Sequence, residues 1–224
     1  MFNKIKENKF FKEYCTEVHL RVKFSLSFSL FFNVAYALLQ AAFGALYESV
    51  WFYTLAGYYA VLAVMRLFLL HYIKKNEQAS NLIKEWKLYK RIGLGILFLN
   101  VPVSAISIAI VEDGKILQKD TIVTIAIATY TFASLAMAII NVHSYRKYER
   151  PVYSATKAVS LASASESMLI LETTMLYTFG TKDELVFRQI MLTITATVLF
   201  IFLLTLAFYM VMRARKSERK LKNG

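Results

Sequence analysis

Two carboxylates inside one apolar stretch are the side chains best able to do chemistry. Glu166 and Glu172 lie between residues 154 and 180, a segment long enough to cross a bilayer. A charged acid at that depth costs free energy unless a proton, a cation or a hydrogen-bond donor compensates it. We therefore predict that Glu166 binds a proton or a cation. The alternative is a protonated, hydrogen-bonded or ion-paired Glu166 that only fixes helix packing.

Helical geometry separates these two acids. At about 100° and 1.5 Å per residue, Glu172 lies about 120° around the helix axis from Glu166 and about 9 Å further along. This separation argues against a paired general acid and base on one helix. Hydroxyl side chains occupy one side of the same helix, and Glu166 borders that side. These hydroxyl residues are Ser160, Ser163, Ser167, Thr174 and Thr178.

A second polar surface is predicted on the first apolar stretch, residues 23–46. Its polar members recur every three or four residues and form one stripe, which is either a hydrogen-bonded helix interface or the lining of a polar pathway. The stripe consists of Ser25, Ser29, Asn33, Tyr36 and Gln40. In the pathway interpretation, the predicted lining residues are Glu166, Glu172, Asn33, Gln40, Asn100, Ser163 and Ser167.

Arg66 is the basic residue deepest in the second apolar stretch, residues 51–72. It lies about 9 Å from the inner end of that stretch, so its long side chain can snorkel to the cytosolic interface. The alternative is a buried ion pair, for which Glu166 is the candidate partner.

The aromatic residues near the start of this stretch are predicted to form an outer aromatic belt. They are Trp51, Tyr53, Tyr58 and Tyr59.

Transmembrane helices are the elements that must position these residues. The chain is 57% hydrophobic and has several apolar runs of about 20 residues, without the two-residue alternation of barrel strands. We predict an all-α fold and a single transmembrane domain over residues 1–224. A cytosolic amphipathic segment at 1–20 precedes the spans and a basic cytosolic tail at 213–224 follows them. The six predicted spans are about 23–46, 51–72, 92–111, 121–142, 153–180 and 186–212.

Charge determines the predicted orientation. The net charge is +12, and Lys and Arg concentrate at both termini and in the loops 74–91 and 143–150, alternating with loops that have no basic excess. The positive-inside rule then places both termini of this multi-pass membrane protein in the cytoplasm. Residues 74–91 are predicted to form an interfacial helix that binds anionic headgroups. No nucleic-acid-binding module accompanies the basic residues, so nucleic acid is not a predicted partner.

The two halves of the chain, about 20–111 and 120–213, contain three predicted spans each. An odd number of spans per half means that any internal duplication would be inverted across the membrane, as in several transporter folds.

Motifs for catalysis and for cofactors are absent from the sequence. There is no HExxH, GxSxG, P-loop, GxGxxG or CxxC pattern. The single Cys15 provides no disulfide framework, and the three histidines have no metal-binding spacing. We therefore predict no catalytic residue, no metal and no cofactor, and the sequence favours a protein that is not an enzyme.

Two segments of the sequence resemble segments of uncharacterised six-span membrane proteins of Gram-positive bacteria. They are LAVMRLFLLHYIKKN and KAVSLASASESMLILETTML. That resemblance implies a multi-pass protein of the bacterial cytoplasmic membrane and carries no function. The small size and six spans are also similar to the substrate-binding membrane subunits of vitamin importers, without a shared motif.

Three functions are compatible with these features. The leading hypothesis is a small transporter or channel-like permease, coupled to protons or cations through Glu166, that moves a small ion or solute. The second is a non-transporting subunit whose basic elements at 74–91 and 213–222 bind a partner protein or anionic lipid. The third is a membrane-embedded enzyme acting on lipid. Assembly with further copies or with a partner subunit is compatible with each.

Overall fold

Six α-helices make up the part of the chain that the structure describes. The computed structural model describes residues 18–48, 50–76, 81–112, 121–144, 150–179 and 185–223, so most of the predicted amphipathic segment at 1–20 lies outside them. The helices are α1 (Val18–Tyr47), α2 (Val50–Lys75), α3 (Leu82–Glu112), α4 (Thr121–Ser144), α5 (Pro151–Phe179) and α6 (Leu185–Asn223). The predicted all-α fold is confirmed.

Four of these helices contain segments that are long and apolar enough to cross a membrane. The segments are Val22–Tyr47, Phe52–Lys75, Thr124–His143 and Val186–Leu221. Large apolar side chains such as Phe31, Leu38 and Ile122 project outward from the bundle, where water would be an unfavourable neighbour. The chain therefore has the features of a multi-pass membrane protein.

Helix α5 is the centre of the bundle. It contacts α2, α3, α4 and α6, so protein surrounds it on more than one side. Its buried residues include Ala155, Ala158, Ala162 and Ala164, and such small side chains let neighbouring helix backbones approach closely. Serines, threonines and three charged residues interrupt its apolar sequence, and it is not among the four helices with candidate spans. Helix contacts, rather than lipid, surround most of its serine and threonine side chains.

Helix pairings repeat between the two halves of the chain. Helix α1 packs against α2 as α4 packs against α5, and α2 contacts α3 as α5 contacts α6. The equivalent helices also contact each other, because α1 touches α4, α2 touches α5 and α3 touches α6. The contact between α3 and α5 departs from this pattern. Two related three-helix halves would produce this set of pairings.

Residues 82–91 do not form a separate interfacial helix. They are the first turns of α3, which continues through Arg91 into the apolar part of the helix. The side chain of Asn81 caps its start by accepting a hydrogen bond from Lys84 N at 3.2 Å. The basic tail is likewise helical, as the end of α6, and Arg213 lies 5.8 Å from the ring centre of Trp86. Contacts between α3 and α6 therefore order both basic segments.

Candidate functional site

The polar stripe on α1 faces the interior of the bundle. Ser25, Ser29, Asn33, Tyr36 and Gln40 are all buried, with at most 4% of each side chain exposed. The next residues around the helix, such as Phe28 and Leu39, are exposed. The stripe predicted from three- and four-residue spacing is therefore confirmed as the buried face of α1.

Near the start of the stripe, hydrogen bonds join α1, α4 and α5. Ser25 Oγ donates to Asn141 Oδ1, and Asn141 Nδ2 donates to Ser160 Oγ at 2.7 Å. All three side chains are buried. Both ends of the Asn141 amide are thus satisfied, so this part of the bundle has the character of a helix interface fixed by hydrogen bonds.

Further along the stripe, Tyr130 of α4 is the hub of a second network. Its Oη donates to Asn33 Oδ1 at 2.8 Å and lies 3.3 Å from Ser163 Oγ. Ser163 Oγ lies another 3.3 Å from Ser134 Oγ. Asn33 and Ser163, two of the predicted lining residues, are therefore connected through a tyrosine that the sequence prediction did not include.

Four tyrosine rings pack together beside this network. The Tyr36 ring stacks on Tyr130 with 3.8 Å between ring centres, and Tyr59 meets both rings edge-on at 4.7 and 5.1 Å. Tyr58 meets Tyr59 edge-on at 5.4 Å. Edge-on and offset aromatic pairs each add roughly 0.5–1.5 kcal/mol beyond area burial. The cluster therefore holds α1, α2 and α4 in a fixed relation.

The prediction that Tyr58 and Tyr59 belong to an outer aromatic belt is wrong. Both are almost fully buried, whereas Tyr53 is 51% exposed and remains compatible with a belt. Tyr59 shares its buried helix face with Leu55, Leu62 and Arg66, at alternating spacings of four and three. That spacing was the available signal for an inward-facing tyrosine.

Glu166 is buried near the tyrosine cluster. Only 1% of its side chain is exposed, and Oε2 has no hydrogen-bond partner among the described residues. Tyr36, Tyr58 and Tyr59 lie close enough to interact electrostatically with its charge. Neither Tyr58 Oη nor Tyr59 Oη has a hydrogen-bond partner within that part of the chain. The carboxylate thus lies in a buried polar environment that is incompletely satisfied.

Gln40 extends this set of unsatisfied atoms. Its side chain is fully buried, and neither its amide nitrogen nor its amide oxygen has a partner among the residues described. Tyr36, one helical turn earlier on α1, is close enough to interact with both Gln40 and Glu166. We name the buried side chains of Asn33, Tyr36, Gln40, Tyr58, Tyr59, Tyr130, Ser163 and Glu166 the central polar cluster.

Arg66 is buried rather than snorkelled. Its side chain is 4% exposed, and Nη1 donates to the backbone oxygen of Ser29 at 2.8 Å. Within the described residues, Arg66 forms no ion pair with Glu166 or with any other acid, so both predicted roles of Arg66 are absent from the structure. A buried guanidinium therefore lies beside α1 without a carboxylate partner among the described residues.

A small cavity adjoins this guanidinium. Its volume is about 10 Å³, roughly the space for one water molecule. Ser29 Oγ and Asn33 Nδ2 both belong to lining residues and lack hydrogen-bond partners in the described part of the chain. The lining residues are Ser29, Phe32, Asn33, Arg66, Tyr130, Ala133, Ser134 and Met137.

The other predicted lining residues lie at helix interfaces. Asn100 Nδ2 donates to the backbone oxygen of Phe200 at 3.2 Å, between α3 and α6. Glu172 is partly exposed and accepts a hydrogen bond from Thr195 Oγ1 at 3.0 Å, between α5 and α6. The structure therefore separates Glu166 from Glu172, as the helical geometry predicted.

Ser167 contributes through its backbone as well as its side chain. Its Oγ donates to the backbone oxygen of Ala164 at 2.9 Å, and its own backbone oxygen accepts from Thr131 Oγ1 at 3.0 Å. Ser167 and Thr131 are both buried at the contact between α5 and α4. These bonds give Ser167 a helix-packing role.

A buried ion pair outside the central polar cluster was missed from the sequence. Glu85 in the first turn of α3 is fully buried, and Oε1 accepts hydrogen bonds from Arg150 Nη2 and, at 3.2 Å, from Nε. The hydrogen bond with Glu85 raises the pKa of Arg150 above its ordinary value. The sequence prediction counted Arg150 only as a loop charge, although Glu85 stood out as an acid within a basic segment.

Comparison with known proteins adds no relative. No protein-family model matches the chain, and no curated protein or solved structure matches it significantly. In the part of the chain that the structure describes, no group of three or more His, Cys, Asp or Glu side chains is placed to hold a metal ion. The chemistry available at the site is that of the central polar cluster and of Arg66.

Proposed function

We propose that this protein is a small transporter of the cytoplasmic membrane, in which Glu166 binds a proton or cation while a small polar solute or ion passes through the central polar cluster. Buried polar groups in native proteins almost always have hydrogen-bond partners. A buried donor or acceptor left without one costs about 1–3 kcal/mol. Several unsatisfied atoms from Gln40, Tyr58, Tyr59 and Glu166 occur together in the core of an apolar helix bundle. A mobile ligand or proton would supply the missing partners.

The proposal rests on the buried and incompletely hydrogen-bonded carboxylate of Glu166. Glu85 forms an ion pair with Arg150, and Glu172 accepts a hydrogen bond from Thr195. Glu166 is as deeply buried as Glu85 but has no cation within ion-pair distance among the described residues. Intramembrane acids of this kind mark proton and ion pathways, because a purely structural role favours a permanent partner.

The proposed topology has six spans with both termini in the cytoplasm. Its support is the alternation of basic and non-basic loops along the sequence. In this topology α5 runs from inside to outside. Glu166 lies about 22 Å along the helix axis from Pro151 and about 20 Å from Phe179, at 1.5 Å per residue. The carboxylate is then near the midplane, where transporters place coupling groups.

The surrounding side chains suit a group that exchanges its ligand. A Tyr hydroxyl can donate to a carboxylate or accept from a protonated acid, and a Gln amide can do both at once. Tyr58, Tyr59 and Gln40 therefore carry the kinds of group that solvate a carboxyl in either charge state. Within the described part of the chain, no permanent cation near Glu166 would have to be displaced when a proton arrives or leaves.

Reconstitution in liposomes tests the proposal. Purified protein is placed in vesicles containing an entrapped pH indicator, and proton entry is recorded under an imposed membrane potential, with sodium, potassium, chloride or formate salts outside. We expect proton movement above that of empty vesicles in at least one salt. Entry of sodium and potassium is recorded in the same vesicles with entrapped cation-sensitive dyes. Folded wild-type protein that moves neither protons nor these cations contradicts the proposal and favours the non-transporting subunit.

A further inference from the structure

We infer that the cavity beside Arg66 is a binding site for a compact monovalent anion, either a halide or the carboxylate group of a small acid. The cavity lies between α1, α2 and α4 and is lined by Arg66, Ser29 and Asn33, with Tyr130 and Ser134 on the α4 side.

The first support is the uncompensated charge. Arg66 is 4% exposed and has no acid within ion-pair distance among the described residues. Within the same residues its hydrogen bond to the Ser29 backbone oxygen leaves most of its five donors without a protein acceptor. A buried charge is costly unless an opposite charge and hydrogen bonds compensate it, and Arg is almost always charged. An anion in the adjoining cavity would provide both.

The second support is the chemistry of the lining, which presents donors. Tyr130 Oη donates to Asn33 Oδ1 at 2.8 Å, so the acceptor end of the Asn33 amide is already engaged. Asn33 Nδ2, a donor, is the end left without a partner in the described structure, and so is the hydroxyl of Ser29. Guanidinium, amide and hydroxyl donors around one small space form a cage that favours an anion over a cation.

The third support is size. A volume of about 10 Å³ accommodates one water-sized species. Sulfate and phosphate are larger than that volume, and Arg66 is the one cation among the residues that line the cavity, so a second negative charge would have no partner there. A halide, or one end of a small carboxylate, is the ligand class that comes closest to both the volume and the charge.

This site is distinct from Glu166, and anion binding at Arg66 does not require that the protein transports anything. The additional consequence, that the anion moves together with a proton on Glu166, does rest on the proposed function. Binding and flux are therefore measured separately, so that failure of one is distinguishable from failure of the other.

Titration calorimetry on the purified full chain tests the binding. The probes are sodium chloride and sodium formate, added at constant ionic strength against sodium sulfate. We expect saturable binding of at least one probe to the wild-type protein and at least about tenfold weaker binding to Arg66→Gln, which loses a charged donor. The matched control is Arg91→Gln, since Arg91 is an exposed basic residue of α3. This control should bind the probe as tightly as the wild type.

A second variant keeps the test decisive if Arg66→Gln fails to fold. Ser29→Ala removes one unpartnered donor and retains the backbone oxygen that Arg66 contacts, so it should fold normally and bind the anion several-fold more weakly. Binding of chloride alone identifies a halide site, and binding of formate alone identifies a carboxylate site. No saturable binding by the folded wild type, which would mean that water alone fills the cavity, overturns the inference. Unchanged affinity in both Arg66→Gln and Ser29→Ala overturns it as well.

Discussion

Tyr130 Oη and Asn33 Oδ1 are joined by a 2.8 Å hydrogen bond that connects α4 to α1. Both side chains are buried, and the Tyr130 ring also stacks on Tyr36 of α1. One tyrosine therefore fixes the Asn33 amide, supports the aromatic cluster and lies beside Ser163 of α5. Within the central polar cluster, Tyr130 therefore links the two halves of the chain through this hydrogen bond and through its ring contacts with Tyr36 and Tyr59.

Removing the Tyr130 hydroxyl should destabilise the bundle. Tyr130→Phe keeps the ring but leaves Asn33 Oδ1 without its donor, and we expect a loss of about 1–2 kcal/mol in the free energy of unfolding. Unfolding in mixed micelles with increasing SDS would measure it. Tyr53→Phe is the matched control, because Tyr53 is exposed, and it should change stability little. Equal losses in the two variants would contradict the role assigned to Tyr130.

The Arg150 and Glu85 pair should be important for stability. Arg150→Gln leaves the fully buried Glu85 without its cation, and we expect a loss of about 2–3 kcal/mol, less than for a wholly buried pair because about a third of Arg150 is exposed. Lys90→Gln is the control, since Lys90 lies 3.8 Å from Glu218 in a more exposed pair. It should cost less than about 1 kcal/mol.

The pH dependence of that pair follows from its arginine. The folded-state pKa of Arg150 is raised, so its stabilising contribution is fully present below the unfolded pKa and is lost only as pH rises through the folded value. The stability difference between wild type and Arg150→Gln should therefore be the same at neutral and at mildly alkaline pH. A difference that disappears between these conditions would contradict a charged Arg150 in the pair.

Close approach of α3 and α6 at Gly93 provides a further test. A Cβ at position 93 would lie 3.0 Å from Met210 Cβ, which is tighter than an ordinary contact and is not the end of a flexible side chain. Gly93→Ala should therefore lose about 1–3 kcal/mol through overpacking. Gly57→Ala, where nothing lies within 4 Å of the added carbon, should be neutral or slightly stabilising. The same unfolding assay compares the two variants, and an equal response would contradict the described packing.

Periodicity was sufficient to predict the buried polar face of α1 and the hydroxyl side of α5. The polar stripe of α1 and the hydroxyl side of α5 were predicted from spacing alone, because a helix places residues three and four apart on one face. The separation of Glu166 from Glu172 follows from the same geometry. These features belong to a single helix, so they require no knowledge of its neighbours.

Partners between helices were not predictable in the same way. Arg66 contacts the backbone of Ser29, and Glu85 contacts Arg150 across 65 positions of sequence. Such pairs depend on the rotation and axial offset of two packed helices, which the pattern of one helix does not contain. Tyr59 was misplaced for a related reason, because tyrosine suits both a membrane interface and a core that offers its ring aromatic partners.

The orientation of the six proposed spans has its own test. A reporter enzyme that is active only in the cytoplasm, fused after Gly224, should be active, because the basic end of α6 is proposed to remain inside. The complementary fusion, a reporter active only outside the cytoplasmic membrane, serves as the control and should be silent. Activity of the second reporter alone would contradict the topology and, with it, the depth proposed for Glu166.

The central claim is that Glu166, and not Glu172, carries the proton or cation. The most direct measurement compares proton flux in liposomes reconstituted with equal amounts of folded Glu166→Gln and Glu172→Gln protein, since each substitution removes one ionisable carboxyl with little change in shape. We predict that Glu166→Gln reduces the flux to that of empty vesicles, whereas Glu172→Gln, whose carboxylate is held by Thr195 at the α5 and α6 interface, retains most of it. Wild-type flux in Glu166→Gln would contradict the claim.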